Sequence, residues 1–232
     1  MPLLGKGLLA IWNGITEAGE AEFVRWHIRE HIPERVGLTG FLRGRRYVAH
    51  EGHPKYFNFY ETESPQTLQS PEYRARLNAP TRWTQDVVKE FRDTSRTICE
   101  VVASFGSGEG AWIETIQISG VEDQTSFSRA AVNNLMKDLV QQDGIVAVHL
   151  VRAIDDQGTS AAAESALRKQ PDARCEWLLL VEAAEADFLK ALRASRCSND
   201  VLRNAASSRA KVERGIYRLQ YGLTHSELGQ TG

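Results

Sequence analysis

The sequence predicts an α+β protein made of two tandem βαββαβ units, whose antiparallel sheets pack face to face as a barrel. Three observations predict it. The order of strand-like and helix-like segments occurs twice, a glycine-rich stretch separates the two copies, and the strands carry apolar residues on both faces. Because the outer helices cover only one face of each sheet, the other faces are expected to cover each other. We expect one unit at residues 1–106 and the second at residues 111–232.

The first unit is predicted to run strand, helix, strand, strand, helices, strand. Thr16 is a candidate cap for the first helix, which Pro33 and Gly37 are expected to end. Thr81 is expected to restart a helix that runs to about Phe91. The four predicted strands cover residues 7–15, 40–48, 55–63 and 96–105.

Three glycines in five residues, from Gly106 to Gly110, form the predicted linker, and the order of elements then repeats. Predicted strands cover residues 111–119, 145–154, 175–184 and 215–223, and predicted helices cover 125–142, 160–169, 185–195 and 199–212. The two halves align without a gap at an offset of 104 residues. The matched pairs include Phe23 with Phe127, Arg25 with Arg129, Ile28 with Val132, Val36 with Val140 and Gly40 with Gly144. We interpret this as a duplication in which the apolar helix stripe was kept.

Composition limits the function classes. The chain has 232 residues and a net charge of -2, with 28 basic against 30 acidic side chains, so neither a nucleic-acid nor a membrane partner is expected. The N-terminus carries no signal-peptide pattern, and no stretch approaches 18 uncharged apolar residues. Three cysteines at wide spacing predict no disulfide framework. Cys99 and Cys175 lie in strand-like apolar runs and are expected to be buried, unreactive thiols. A cytoplasmic protein without a metal or cofactor is expected.

One segment carries a motif, Phe23-x-x-Trp26-His27-x-x-x-His31-x-Pro33, followed by Gly37-x-x-Gly40-Phe41-x-x-Gly44-Arg45-Arg46-Tyr47. It resembles the dimeric α/β-barrel superfamily, especially its EthD-type and antibiotic-biosynthesis-monooxygenase-type proteins. The resemblance implies a ferredoxin-like fold, a β-barrel between two units, and a small-molecule pocket between helices and sheet. It implies no single reaction, because such proteins include cofactor-independent monooxygenases, lactone isomerases and haem-handling enzymes. The chain departs from the pattern by carrying two units, the second without the motif.

The two histidines of the motif distinguish the first unit from the second. At the same offset, Ala131 stands opposite His27 and Leu135 opposite His31, while Ala130 stands opposite Trp26. Polar groups kept in one half alone favour one pocket and one structural unit. The alternative is that both histidines merely pack on the sheet and bond to backbone atoms.

Other polar side chains are expected to reach the same cleft. Asn13 lies on the first predicted strand, Arg43 on the second, and Asn58 and Tyr60 share one face of the third. For Arg43 the alternative is a solvated or rim position paired with Glu51, Glu61 or Glu63. Trp83 is expected on a helix that covers the cleft, with its apolar ring filling the opening.

The string His27-x-x-Glu30-His31 also matches an inverted zinc-peptidase motif. Two histidines one helical turn apart could reach one metal, but a third ligand would still be needed. Glu90, Glu100 and Glu114 are the downstream candidates.

We therefore predict a small-molecule enzyme acting by proton transfer or cofactor-free oxygenation on an aromatic or lactone-like substrate. His27 or His31 is the expected general base, and Arg43 and Asn13 are expected to stabilise the developing oxyanion. The expected substrate-binding side chains are those of Trp26, Asn58, Tyr60 and Trp83. The alternatives are a non-catalytic ligand-binding or assembly module, and a metal- or haem-binding protein that uses the two histidines. A homodimer is compatible with each.

Overall fold

A computed structural model describes residues 3–154 and 175–228, so the helix predicted at 160–169 lies outside the described residues. The described strands are β1 (Gly7–Ile15), β2 (Phe41–Glu51), β3 (Tyr56–Thr62), β4 (Phe91–Gly106), β5 (Trp112–Ser119), β6 (Ile145–Ala153), β7 (Trp177–Ala183) and β8 (Lys211–Thr224). The α-helices are α1 (Glu20–Trp26), α2 (Ile32–Val36), α3 (Pro71–Asn78), α4 (Arg82–Val88), α5 (Gln124–Ala130), α6 (Lys137–Leu139), α7 (Ala186–Arg193) and α8 (Asn199–Ala206).

The strands close into a single antiparallel barrel in the order β1-β3-β2-β8-β5-β7-β6-β4. Within each unit the order is that of a ferredoxin-like sheet, β4-β1-β3-β2 in the first and β8-β5-β7-β6 in the second. The units join at two seams, where β2 pairs with β8 and β4 pairs with β6. The predicted α+β barrel of two tandem βαββαβ units is therefore confirmed, and the sheets are hydrogen-bonded at both edges as well as facing each other.

The barrel interior is a core shared by both units. Trp12 and Phe57 pack there with ring centroids 4.7 Å apart, and Tyr47 stacks on Phe59 at 5.9 Å. The interior residues are Leu8, Ala10, Trp12, Tyr47, Phe57, Phe59, Cys99, Ile113, Val151, Cys175, Leu178, Leu180 and Tyr217. Because the residues of one face alternate along each strand, the residues between them face outward, toward the helices.

One end of the barrel carries a buried ionic network that connects the units. Arg45 donates from Nη1 to both carboxylate oxygens of Glu182, at 3.1 Å each, and from Nη2 to Glu61 at 3.2 Å. His149 contacts the same Glu182 carboxylate at 3.1 Å. Burial alone would raise the pKa of Glu182, but the Arg45 guanidinium, His149 and the backbone N–H of Gly110 bring that pKa to about 2. Glu182 is therefore ionised and bridges residues from both halves of the chain.

The helix that carries the histidines differs from its prediction at both ends. It begins at Glu20 with Gly19 as its N-cap residue, whereas Thr16 lies one turn earlier and accepts from the Gly19 N–H. Pro33 does not end it. The backbone makes a π-helical turn at His27–His31 and continues through the proline as α2 to Gly37. Since proline lacks an N–H for the carbonyl four residues back, a wider turn just before it lets the helix go on.

The predicted boundaries were also wrong at two further helix-to-strand junctions. The helix that starts after Thr81 ends at Val88, and β4 begins at Phe91, five residues before the predicted start at Arg96. The last helix ends at Ala206, and residues 211–212 belong to β8. The first residues of β4 and β8 are largely polar. A strand end without a run of apolar residues cannot be located from hydrophobicity alone.

The repeat is clear in the helices but slips in the first strand. Helix α1 and its π turn have counterparts in α5 and a π turn at Ala131–Met136, and Gly40 and Gly144 both have positive φ (81° and 71°). In β1, Asn13 faces the helices. In β5, Ile113 faces the barrel interior, and Gln117 lies on that same face because it is four residues further along the strand. The gap-free alignment, which sets Gln117 opposite Asn13, therefore does not hold along the first strands of the two units.

The three cysteines are free and buried, as predicted for Cys99 and Cys175. Burial raises the pKa of the Cys175 and Cys197 thiols to about 11 in each case, which makes them poor nucleophiles. In the part of the chain that the structure describes, no helix has the length and apolar character needed to cross a membrane.

Candidate functional site

A cleft lies between the helices of the first unit and the outer face of its sheet. The enclosed inner part of this cleft has a volume of only about 30 Å³. That inner space holds about two water molecules. The lining residues are Leu9, Ile11, Asn13, Trp26, His27, His31, Arg35, Asn58, Tyr60, Tyr73, Phe91, Thr94 and Arg96.

His27 lies in the wall of this cleft and is 3% exposed. Its Nε2 is 3.4 Å from the Tyr60 hydroxyl, and its Nδ1 has no hydrogen-bond partner among the described residues. Burial, followed by the nearby guanidiniums of Arg46 and Arg35, holds the pKa of His27 well below the usual 6.5. The imidazole is therefore neutral at pH 7 and can accept a proton.

His31 and Trp26 complete the aromatic wall. The ring of Trp26 lies 4.2 Å from that of His31, and the two imidazoles stack with centroids 5.5 Å apart and planes 20° apart. Trp26 is held at its other side, because its indole N–H lies 3.1 Å from Thr84 Oγ1 and 3.2 Å from Glu30 Oε1. The wall is thus positioned by α4, which follows much later in the sequence.

The zinc-peptidase pattern has a different use. Glu30 accepts hydrogen bonds from Thr81 and Thr84, at 2.6 and 3.2 Å, and so connects the π turn to α4. The three proposed third ligands are engaged elsewhere: Glu90 with Thr16, Glu100 with Arg152, and Glu114 with Arg193. Among the described residues, no three potential metal-binding side chains converge.

The π turn itself does not indicate activity. Such turns are common at functional sites. Here, however, the second unit has one at the corresponding position, where His27 is replaced by Ala131 and His31 by Leu135. The turn belongs to the repeated scaffold, and the histidines are what differs between the units.

The sheet side of the cleft carries an amide pair, as the strand alternation predicted. Asn58 Nδ2 donates to Asn13 Oδ1 at 2.8 Å, and both residues are almost fully buried. Asn13 Nδ2 makes only a long contact to the Gly14 carbonyl, at 3.3 Å. These two amides offer polar atoms within an otherwise apolar sheet surface.

Sequence reasoning missed Arg35, Arg96 and Tyr73, which form one end of the cleft. Arg96 Nη2 donates to the Tyr73 hydroxyl at 3.2 Å, and the Arg35 guanidinium lies 5.9 Å from the Tyr73 ring centroid. Residues 27, 31 and 35 are spaced by four, so Arg35 lies on the same face of the helix as the two histidines. This spacing could have identified Arg35 as a cleft residue. Arg96 lies two residues from the helix-facing Ile98 on β4, so strand alternation puts both on the same face. The local sequence gives no sign that Tyr73 is the partner of Arg96.

Two predicted site residues do not line the cleft. Arg43 lies on the barrel side of its strand, where it donates to Glu61 and Glu109, at 2.6 Å each, so the alternative of a glutamate-paired position is the one observed. Trp83 is half-buried on α4 and donates to Glu22 at 2.6 Å, with Arg25 over its ring. The structure thus places His27, His31, Asn13, Trp26, Asn58 and Tyr60 around one cleft and leaves out Arg43 and Trp83.

The corresponding layer of the second unit is mostly apolar, although the buried Glu114 pairs there with Arg193 of α7. Beneath α5, the strands present Ile116 and Ile118 from β5 and Leu179 and Val181 from β7, all buried in one cluster. In the first unit, these two central strands instead present Asn13, Asn58 and Tyr60. The polar cleft is therefore built from residues that the second unit replaces with apolar ones.

Comparison with known proteins gives the fold. No protein-family model and no curated protein matches this sequence. Among solved structures, an anthrone oxidase-like protein aligns with a TM-score of 0.63 at 11% identity, over 96% of this chain and 94% of the other. A candidate monooxygenase from Fusobacterium nucleatum aligns with a TM-score of 0.58 at 9% identity, over 96% of each chain. A third, from Lactobacillus acidophilus, has a TM-score of 0.56 at 10% identity, over 94% and 99%.

Identities this low show a shared fold and leave the reaction undetermined. The likeness extends over nearly the whole length of both chains, so it includes both βαββαβ units and the barrel between them. The chain has a ferredoxin-like fold in each half, and the two halves close one α/β barrel within a single polypeptide.

Proposed function

We propose that the first unit, residues 1–106, binds a small organic molecule and that His27 removes a proton from it, while residues 111–232 serve as scaffold. The observation that carries this proposal is a buried, neutral imidazole whose Nδ1 lacks a partner among the described residues, beside a cleft whose polar Asn13, Asn58 and Tyr60 have apolar counterparts in the second unit. A general base needs a deprotonated atom in contact with the substrate, and Nδ1 of the neutral ring is such an atom once the ligand displaces the side chains that now cover it.

The surrounding groups support a carbon acid as substrate. In the tautomer in which Nε2–H donates to the Tyr60 hydroxyl, Nδ1 carries the lone pair that accepts the proton. The imidazolium that forms lies near Arg35 and Arg46, which disfavour it unless negative charge develops beside it. An enolate oxygen supplies that charge, and the amide N–H groups of Asn13 and Asn58 are donors on the opposite wall.

An anthrone-type molecule is a reasonable first substrate, since one structural neighbour is described as anthrone oxidase-like. Anthrone has an acidic CH₂ group, and its carbanion reacts with oxygen. One anthrone and one O₂ give one anthraquinone and one water, with the carbon oxidised and the oxygen reduced. Because the inner space holds only about two waters, a tricyclic ligand must displace side chains at the rim, such as Phe91.

Oxygen uptake with anthrone tests the proposal. The wild-type protein is expected to consume oxygen above the uncatalysed rate, and His27→Gln is expected to lose at least 100-fold of this excess. His53→Gln is the matched control, because its side chain is 72% exposed and does not line the cleft. Unchanged turnover in His27→Gln, with an intact fold by circular dichroism, contradicts His27 as the base.

A binding module without chemistry is the second candidate, favoured by the narrowness of the inner cleft. In that case ring-shaped ligands shift the NMR signals of His27, but neither oxygen uptake nor exchange of the ligand's acidic protons with D₂O exceeds the background rate.

A further inference from the structure

The cleft has charged groups of only one sign in its lining. Two of the lining residues, Arg35 and Arg96, carry guanidiniums, and none of the described lining residues carries a carboxylate. Both arginines are nearly buried, at 3% and 6% exposure. Glu34 pairs with Arg35 at 2.7 Å but does not itself line the cleft.

The two guanidiniums belong to one end of the cleft because Tyr73 contacts both. Its hydroxyl accepts from Arg96, and its ring lies under Arg35. These contacts fix the guanidiniums before a ligand arrives, which lowers the entropic cost of binding. Planar guanidinium groups match carboxylates geometrically and form strong charge-assisted hydrogen bonds with them.

We infer that the ligand of this cleft is an organic acid, whose carboxylate binds between Arg35 and Arg96 while its ring system extends to His27. The inference rests on the proposed function and specifies its substrate class. Arg35 follows His27 by eight residues of continuous helical backbone, which separates their Cα atoms by roughly 10–12 Å. The acidic group therefore lies at the opposite end of the ring system from the reacting carbon.

A carboxylate bound at this end of the cleft would also change the basicity of His27. Positive charge from Arg46 and Arg35 helps to keep the pKa of His27 low, which makes the imidazole a weak base. The residues whose polar groups face this region are Arg35, Arg46, His31 and Tyr60. An anion at Arg35 offsets part of that positive charge, so His27 becomes a stronger base when the acid is bound.

The test compares 2-naphthoate with 2-naphthamide, two probes of nearly the same shape that differ in charge. Each is titrated into the full-length protein while the His27 imidazole signals are followed by NMR, with His27→Gln used for assignment. We expect 2-naphthoate to bind at least tenfold more tightly, and Arg96→Gln to remove most of that preference. Arg82→Gln is the matched control, because Arg82 is exposed on α4 and loses the same charge. If Arg96→Gln does not fold, Arg35→Gln takes its place.

Three results would overturn the inference. Equal affinity for acid and amide, with both probes shifting His27, removes the carboxylate site but leaves the proposed function. A preference for the acid that survives substitution of the cleft arginines, or that Arg82→Gln reduces equally, places the anion elsewhere. If neither probe perturbs His27, the carboxylate site and the proposed function fail together.

Discussion

At the scale of single residues, burial decides the protonation state of His27. The cleft keeps this imidazole away from water and close to two guanidiniums, so the charged form is disfavoured in the folded protein. In the unfolded chain, the same imidazole takes up a proton below about pH 6.5. Acid therefore favours the unfolded state through this one residue.

The consequence is a testable pH dependence of stability. Since the pKa of His27 is lower in the folded state, its contribution is complete above pH 6.5 and is lost as the pH falls toward the folded-state value. From pH 7.5 to 5.5, wild-type protein should lose up to about 1.4 kcal/mol more than His27→Gln. Urea unfolding of both proteins at pH 7.5, 6.5 and 5.5 measures this difference, and parallel curves would contradict a depressed pKa.

Single residues also show what local sequence could predict of the site. Strand alternation assigned Asn13, Asn58 and Tyr60 to one face, because side-chain direction in a strand follows from position alone. Strand alternation also grouped Arg43 with Arg45 and Tyr47, but it could not show whether that face of the strand lies against the helices or inside the barrel. Its true partner, Glu61, lies on the neighbouring strand, and strand pairing is a property of the fold.

At the scale of elements, Glu30 is the contact that positions the histidine-bearing turn. Its carboxylate receives hydrogen bonds from Thr81 and Thr84 at the start of α4, and from the indole of Trp26. In the sequence, Glu30 looked like part of a metal motif, because spacing within one helix shows which residues share a region but not what packs against them. Tertiary contacts with α4 give it a structural role.

Removing that carboxylate should loosen α4 from the π turn. We expect Glu30→Ala to lower the free energy of unfolding by about 2–3 kcal/mol, because a partly buried indole N–H and two hydroxyls lose a charged acceptor. Glu30→Gln should cost less, since its amide oxygen can still accept. Urea denaturation measures both, with Glu17→Ala as the exposed control, expected within about 0.5 kcal/mol of wild type. Equal losses at positions 17 and 30 would refute this role.

At the scale of the whole molecule, the sequence predicted the tandem architecture because the same order of elements and the same helix stripe occur twice. It could not predict how the barrel closes. The seams between β2 and β8 and between β4 and β6 join residues more than 40 positions apart, and no local pattern encodes them. The ion pair of Arg45 and Glu182 also joins distant parts of the sequence, with partners 137 residues apart.

That pair should couple the stabilities of the two units. Arg45→Met leaves Glu182 ionised and buried without its main counter-charge, which should cost about 3–5 kcal/mol. Glu182→Leu should cost a similar amount, because it leaves a fully buried guanidinium. The double variant Arg45→Met/Glu182→Leu should be more stable than the sum of the single losses predicts, since it removes both buried charges together.

Urea denaturation of the four proteins forms a double-mutant cycle, and the exposed pair Arg196 and Asp138 supplies the control cycle. An exposed pair is expected to show a coupling energy below about 1 kcal/mol. A single cooperative transition is expected for every variant, because both units contribute strands to one barrel. Separate transitions for the two halves, or a coupling no larger than that of the exposed pair, would mean that each unit is stable without the ionic network at the barrel end.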